Sequence, residues 1–295
     1  EPQLQSGDAI IVVDNDSSDG TPELVEQNFP RAQVLRQERN LGYGGGANCG
    51  IAQAGADAVV ILNQDLIFKA GCLAALRQRL EASGPAVIGG KLFYPDGQTI
   101  QHAGGMIRMP RGEPDHYGYR QLDDGSYDQA MEPDYVTGAL FVIDRQVFET
   151  IGGFDEGFFP AYYEEVDYCY RARAAGFPVI YEPGVVAIHY ESQTHGQQSV
   201  IYHQAMARGR LRFLLKHQST ARFCDDFVPA EQGWLAELTS AVSRRILLHA
   251  YLHSMLAVPC LQAQGLLADP ETASVEHLLG ALEQLSHYCA QNSMA

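Results

Sequence analysis

Lysine is scarce: only Lys69, Lys91 and Lys216 occur in 295 residues, and Lys and Arg together reach 20 against 36 Asp and Glu. The formal charge of −16 excludes the broad basic surface that neutralising a phosphate backbone requires, so no nucleic acid is expected as a partner. Cysteine is thinly scattered. Cys49, Cys72, Cys169, Cys224, Cys260 and Cys289 form no Cys-x-x-Cys pair and no dense framework, which excludes a disulfide-stapled fold and points to the reduced thiols of a cytoplasmic protein. No apolar run reaches the ~18 residues of a spanning helix. The opening Glu1-Pro2-Gln3 lacks the basic and apolar regions of a secretory signal. Internal repeats and low-complexity tracts are absent too. What is present suits a packed globular chain: 46% hydrophobic and 19% charged residues, at a length that holds one large domain or two modest ones.

Residues 8–14, Asp-Ala-Ile-Ile-Val-Val-Asp, read as a buried parallel strand ending in a carboxylate. The polar turn Asn15 to Gly20 follows, and Thr21-Pro22-Glu23 opens a helix with Thr21 as N-cap. A strand is expected over 32–36, a glycine-rich loop over 42–46 and a helix over 47–55. A third strand over 58–62 ends at Asn63-Gln64-Asp65, and an amphipathic helix covers 70–82. This alternation predicts an α/β fold, Rossmann-like, with a mostly parallel sheet and helices on both faces. Residues 92–134, rich in Gly, Pro, Asp and Tyr, read as hairpins and a long ordered loop, a setting for substrate contacts. A strand over 135–143, a helix over 163–175 and strands over 178–181 and 185–190 come next. Beyond His195 the pattern is helical, over roughly 197–217, 230–262 and 273–290.

Carboxylates at the C-terminal ends of parallel strands are the first chemical signal, because open α/β sheets bind ligands there. Asp14 and Asp65 hold such places, where Asp also commonly caps a turn. Asn63 and Asp65 stand one residue apart, so an extended segment would put both oxygen-bearing side chains on one side, as Mg²⁺ or Mn²⁺ prefers. The stretch Asn40-Leu41-Gly42-Tyr43-Gly44-Gly45-Gly46-Ala47-Asn48 runs into a helix N-terminus that either holds an anion or lets strand and helix pack closely. It has no Walker-type Gly-Lys-Ser/Thr ending. Glu164, Glu165 and Asp167 crowd one helix start; Asp167 can pair with Arg171 four residues on, which leaves Glu164 and Glu165 as a candidate general base or as a solvated acidic first turn. His189 ends an apolar strand and matters as a ligand only if Asp65 is close to it.

Taken as an ordered set, these segments resemble the family 2 glycosyltransferases, in particular their rhamnosyltransferase-like and galactofuranosyltransferase-like branch. The resemblance runs from about Asp8 to His217. Val13 to Thr21 is similar to the family's nucleotide-binding turn, Asn40 to Asn48 to its donor loop, and Leu62-Asn63-Gln64-Asp65 to its D-x-D motif. Thr137-Gly138-Ala139, Gly152 to Phe159, the Glu164–Asp167 cluster and His189 follow in family order. The fold this implies is GT-A, over residues 1–217 and without the family's opening strand, with a helical C-terminal extension over 218–295. The implied reaction moves a sugar, with inversion, from a dTDP-, UDP- or GDP-linked donor to a hydroxyl of a glycan or lipid-linked acceptor in cell-surface polysaccharide assembly. By resemblance, Asp65 and His189 would hold a divalent metal, Mn²⁺ or Mg²⁺. Glu165, with Glu164 beside it, would be the base. Asp14, Asn15, Asn40, Gly42, Asn48, Asn63 and Gly138 would line the donor site. The pattern departs from the family at three places: Glu165 stands where Asp is common, Asn63 holds the first D-x-D position, and Asn15 replaces a frequent second Asp.

Two further classes compete with a working transferase. With seven residues before Asp8, the chain is expected to be a fragment or to have an incomplete nucleotide pocket, which suits an inactive relative that binds a nucleotide sugar or a protein partner. A nucleotidyltransferase would want a basic Gly-rich loop near the N-terminus, and residues 1–30 hold no Lys or Arg. Over 197–217, Arg208, Arg210, Arg212 and Lys216 beside Leu211, Phe213, Leu214 and Leu215 read either as a helix on an anionic membrane, at the inner face of the plasma membrane, or as a packed helix with a solvated basic face. Arg244-Arg245 before Ile246 allows the same two readings.

Overall fold

Two five-residue segments, Ile-Ile-Val-Val-Asp and Ala-Gln-Val-Leu-Arg, become β1 (Ile10–Asp14) and β2 (Ala32–Arg36), a parallel pair with Val12 opposite Val34 and Asp14 opposite Arg36. Between them lies α1 (Thr21–Asn28). Its N-cap is Gly20, with a left-handed φ of +82°, so Thr21 is already helical and not the cap. After β2 comes α2 (Gly42–Gln53), then β3 (Ala58–Leu62), β4 (Leu66–Phe68) and α3 (Cys72–Ser83). The strands β5 (Val87–Phe93), β6 (Ile100–His102), β7 (Gly105–Arg108), β8 (Glu113–His116) and β9 (Leu140–Asp144) follow. Then come α4 (Arg145–Ile151), α5 (Glu164–Ala174) and β10 (Val179–His189). The computed structural model describes residues 3–190 and 199–291, so His195 and the first residues of the expected 197–217 helix lie outside the described residues.

The main sheet has the order β3-β9-β5-β10-β4, with β6 added on β5. It is mixed, not mostly parallel: β5–β10 is parallel, while β3–β9, β5–β9, β5–β6 and β4–β10 are antiparallel. The reason is the long excursion before β9. A helical crossover returns a strand parallel, whereas β9 arrives from hairpins and loops and enters from the other end. Strands 178–181 and 185–190 are one strand, β10, with an irregularity between Glu182 and Val186. Leu73, Leu76, Ile88, Leu92, Leu140, Val142, Ile180 and Val185 form the core between α3 and the sheet. Among the described residues β1 pairs only with β2 and β3 only with β9, so one edge of each has no ladder partner.

The described residues divide into two compact units, 3–106 with 115–190 and 107–114 with 199–291. The second contains the hairpin tip 107–114, α6 (Val200–His217), α7 (Thr220–Arg222), a π-helical turn (Phe223–Phe227), α8 (Val228–Glu237), α9 (Ala241–Ala263) and α10 (Thr272–Gln291). The boundary expected at 217/218 therefore moves. α6 packs on α9 and buries Leu211, Phe213, Leu214 and Leu215, so it belongs to the helical unit. The helix expected over 230–262 is broken at 238–240, where Ser240 caps α9 by accepting from Ser243 N.

Candidate active site

The glycine stretch is the first turns of α2 rather than a loop ahead of it. Gly42 has φ +73°, and a Cβ there would lie 2.6 Å from Pro160 O. A Cβ on Gly46 would lie 2.9 Å from Asn15 Nδ2. Bare backbone is what lets the polar turn after β1 close on the helix. Asn15 Nδ2 donates to Gly42 O (2.9 Å), Asn15 Oδ1 accepts from Leu41 N (3.4 Å), and Asn40 Oδ1 accepts from Gly42 N (2.8 Å). Asp14 is buried and accepts from Ser17 N at 3.2 Å, the turn-capping role open to it from sequence. Tyr43 OH donates to Gly138 O at 2.5 Å. Asn15, Asn40, Gly42 and Gly138 are thus brought together around one turn.

Asn48, expected at the donor, faces elsewhere. Its Oδ1 accepts from Phe154 N (2.8 Å), and its Nδ2 donates to Phe154 O (3.0 Å) and to Glu156 Oε1 (3.1 Å). Both N–H bonds are committed inside the protein, so Asn48 fixes the Gly153-Phe154 loop to α2. Phe154 in turn packs on Tyr43, Phe141 and Tyr168, with ring centroids 4.9–6.0 Å apart.

α5 starts from two consecutive left-handed residues, Tyr162 (φ +82°) and Tyr163 (φ +77°). Strain of this kind persists where the surroundings over-determine it, often at functional sites. It aims Glu164 and Glu165 inward. Each leaves its Oε2 shielded from solvent and without a hydrogen-bond partner. Burial, then the neighbouring Glu165, holds Glu164 well above the ordinary carboxylate range. Burial lifts Glu165 to about 7, against backbone hydrogen bonds that pull it down. Asp167 pairs with Arg171 Nε (2.9 Å), and Arg171 also donates to Ile151 O and Gly153 O. That pair is structural, as the four-residue spacing predicts.

Antiparallel pairing of β10 with β4 sets His189 opposite Leu66, and Tyr190 N donates to Asp65 O (2.9 Å). The Asn63–Asp65 segment is a turn rather than extended chain, yet both side chains reach the same ring. His189 Nε2 lies 3.1 Å from Asp65 Oδ1 and 3.4 Å from Asn63 Nδ2. Neither buried oxygen of Asp65 has a hydrogen-bond partner. The other ring nitrogen, Nδ1, meets Gln101 Oε1 at 2.6 Å. A carbonyl oxygen there puts the hydrogen on Nδ1 and leaves the Nε2 lone pair facing the carboxylate. Two acceptors facing each other across 3.1 Å, both buried, make a place for a cation. Among the described residues no third His, Cys, Asp or Glu joins them. That donor set suits a metal that completes its shell with substrate phosphate and water, as Mg²⁺ commonly does.

Thr137-Gly138-Ala139 links these groups. Gly138 O takes Tyr43, Ala139 O accepts from Asn63 N (3.1 Å), and Thr137 N donates to His102 Nε2 (3.3 Å). Three residues escape sequence reasoning: Gln101 behind His189, and His102, whose Nδ1 lies 2.9 Å from that of His116. Burial holds His102 well below its ordinary value and lowers His116 too. The only signal in the sequence was their place in the 92–134 segment read as substrate-contacting.

Comparison with known proteins bears on this arrangement. The profile of Glycosyl transferase family 2 matches residues 3–152. An uncharacterized protein, y4gI, of Sinorhizobium fredii is 29% identical over 225 residues, covering 73% of this chain and 25% of its own length. The N-acetylglucosaminyl-diphospho-decaprenol L-rhamnosyltransferase of Mycobacterium tuberculosis is 28% identical over 243 residues, covering 72% of this chain and 76% of its own. The low-salt glycan biosynthesis hexosyltransferase Agl10 of Haloferax volcanii is 26% identical over 226 residues, covering 73% and 69%. Among solved structures, GalNAc-T7 with UDP, GalNAc and Mn²⁺ superposes with a TM-score of 0.56 at 14% identity, covering 76% of this chain and 44% of that one, a likeness of fold.

Proposed function

Because the chain belongs to glycosyl transferase family 2 and has the GT-A fold, we propose that it transfers a hexose-class sugar, with inversion, from a nucleoside-diphosphate sugar to a hydroxyl of a glycan or lipid-linked acceptor in cell-surface polysaccharide assembly. The observation that carries this reading is the buried, unpartnered Asp65 carboxylate facing His189 Nε2. Asp65 and His189 would hold a divalent cation, Mn²⁺ or Mg²⁺. When bound, such an ion supplies Lewis-acid neutralisation of the charge on a departing diphosphate.

The chain's own residues supply the rest. The α2 turn, shaped by Asn15 and Asn40, brings a helix N-terminus to the anionic donor, with the N–H groups of Leu41, Gly42 and Tyr43 held by Asn15, Asn40 and Pro160 O. Gly138, whose lack of a Cβ lets Tyr43 OH close on its carbonyl, would line the sugar. Glu165 accepts the acceptor hydroxyl's proton as that oxygen forms its bond to the anomeric carbon and the bond to the diphosphate breaks. A value near 7 suits this, because the base is then half-ionised at neutral pH and still basic enough to pull. Glu164, more deeply buried, is pushed further towards its protonated form by burial and by Glu165. The names of the relatives, a rhamnosyltransferase and a hexosyltransferase, support a single-sugar transfer. The six cysteines form no disulfide, in keeping with a reducing, cytoplasmic setting.

A second reading, a relative that binds donor without turnover, is favoured by one observation: β1 and β2 stand outside the main sheet, each β1 residue before Asp14 only half-buried. Calorimetry with UDP, dTDP and GDP, with and without Mn²⁺, separates the cases. Metal-dependent binding of one nucleotide, lost in Asp65→Ala, together with transfer from the matching sugar nucleotide, is the expected result. Binding without transfer to any acceptor supports the second reading. Equal binding by wild type and Asp65→Ala removes the metal assignment.

A further inference from the structure

α9 has two unlike faces. On one, Ile246, Leu247, Ala250, Tyr251, Val258 and Leu261 are buried. That face is also pinned by polar bonds: Arg244 Nη2 donates to Leu235 O (2.9 Å) and to Leu238 O, and Tyr251 OH donates to Glu231 Oε1 (2.7 Å). On the other face, Val242, Arg245, His249, Leu252, His253 and Leu256 recur at helical spacing, and all are exposed. Leu256 has 82% of its surface open and Leu252 has 47%. By length and composition α9 could cross a bilayer, at a mean hydropathy of 1.3 over its best window. Its packed, hydrogen-bonded face instead suits a helix lying in an interface, one side on protein and one side free.

Charge singles out the same face. The chain carries −16 overall, yet from Ser192 to Cys224 and again from Leu238 to Ala268 it contains no Asp or Glu. Those two stretches hold Arg208, Arg210, Arg212, Lys216, Arg222, Arg244 and Arg245. They are the segments of α6 and α9, which pack together. Of the cations, Arg210 and Arg244 are turned inward and buried. Arg208 is half-buried with its Nε unpartnered, and Arg245 is exposed. Burial, then Arg208, His249 and Arg212, pull the His253 imidazole below its ordinary value, with no carboxylate acting on it.

We propose that this face of α9, flanked by Arg208 and Arg212, is a docking surface for an anionic lipid bilayer. Leu252 and Leu256 enter the acyl boundary, and Arg245, His249 and Arg208 meet lipid phosphates. A second copy of the chain is the poorer occupant, because face-to-face pairing would set Arg and His against Arg and His. The α6 helix gives no apolar contact and only flanking charge: its Arg210 and Lys216 are buried, so the basic helix expected over 197–217 is a packed one that lends Arg208 and Arg212 to its neighbour's face. This inference does not depend on sugar transfer.

The test is co-sedimentation of the purified chain with equimolar phosphatidylcholine/phosphatidylglycerol vesicles and with phosphatidylcholine vesicles, at low and high salt. Binding is expected to the anionic vesicles alone and to weaken with salt. Arg245→Glu lowers it about 25-fold, since each cation near the surface counts for about fivefold and the reversal removes two charges' worth. Leu252→Glu/Leu256→Glu abolishes it. All three positions are exposed, and circular-dichroism melts check that the variants fold. Leu24→Glu, on the exposed side of α1, leaves binding unchanged. Absence of binding to anionic vesicles, equal binding to both vesicle types, or undiminished binding by the α9 variants overturns the proposal. So does a concentration-dependent dimer that the same α9 variants dissociate.

Discussion

Glu164 and Glu165 are identical side chains one residue apart, and their surroundings separate them. Both are lifted by burial, but Glu165 reaches only about 7 while Glu164 is held well above its ordinary range with Glu165 adding to the push. A base must be deprotonated to act, so kcat is expected to rise with pH through about 7 and level off above it. Glu165→Gln removes that limb and lowers kcat by about 10²–10⁴ with donor binding retained. A pH–rate profile of both proteins checks this; a limb that survives in the variant assigns the base elsewhere. Gln101 acts one step further back, by fixing the ring of His189. Gln101→Leu frees Nδ1 and is expected to weaken Mn²⁺ affinity by about 10–100-fold, while Gln101→Glu keeps an acceptor in place and restores it. Electron paramagnetic titration of Mn²⁺ with a nucleoside diphosphate present reads the difference.

At the scale of elements, what the sequence made legible was local. The segments at 10–14, 32–36 and 58–62 stand out by their Val, Ile and Leu content, although the strands they form are only half-buried, and α5 stands out by its acidic start. The start of α2 was hidden, since four glycines in five residues read as loop until Asn15 and Pro160 are seen pressing on them. The antiparallel pairings were hidden as well, because they depend on partners far along the chain. The closeness of His189 to Asp65 rests on β4, three residues long and too short to show a period. Asn48 has the residue type of a donor contact and was read so; its amide is instead engaged with Phe154 backbone and Glu156. Buried polar groups in the helical unit were equally invisible. Glu231, with no exposed surface, accepts from Arg210 Nη1 (2.8 Å), Arg111 Nε (2.9 Å) and Tyr251 OH (2.7 Å). Burial alone would raise its carboxyl, but Arg210 and Arg111 outweigh it and hold it at about 2. A carboxyl depressed in the folded state stabilises fully above its ordinary value of 4.5 and loses that contribution as pH falls from there towards about 2. Glu231→Gln strands the buried Arg210, while Arg111 keeps Glu113, and is expected to cost about 3–5 kcal/mol at neutral pH. Denaturant titrations from neutral pH downwards should show the variant's deficit shrinking with acid; a constant deficit would mean that packing, not charge, sets it.

At the scale of the whole molecule, the first unit contains two ladders that are not hydrogen-bonded to each other. The main sheet is deeply buried, with every residue of β5 and all but the last of β9 closed off, whereas β1 and β2 are half-exposed and held to the rest chiefly through α2. Stability in such a fold is uneven, because segments with few buried contacts and an unpaired edge open without global unfolding. The groups proposed for the donor lie on this weaker part: Asp14 ends β1, Asn15 follows it, and the α2 turn closes on Asn15. Amides of Ile10–Asp14 and Ala32–Arg36 are therefore expected to exchange with deuterium faster than those of Val87–Phe93 and Leu140–Asp144. A nucleoside diphosphate with Mn²⁺ should then slow exchange most in β1, β2 and the first turns of α2, because a ligand that binds only the closed form raises the free energy of opening there. Uniform exchange across both ladders would show that the two open as one unit, and protection confined to the main sheet would move the donor away from the α2 turn. The comparison needs only peptide-level mass spectrometry with and without ligand, and it reads donor placement without requiring the acceptor to be known.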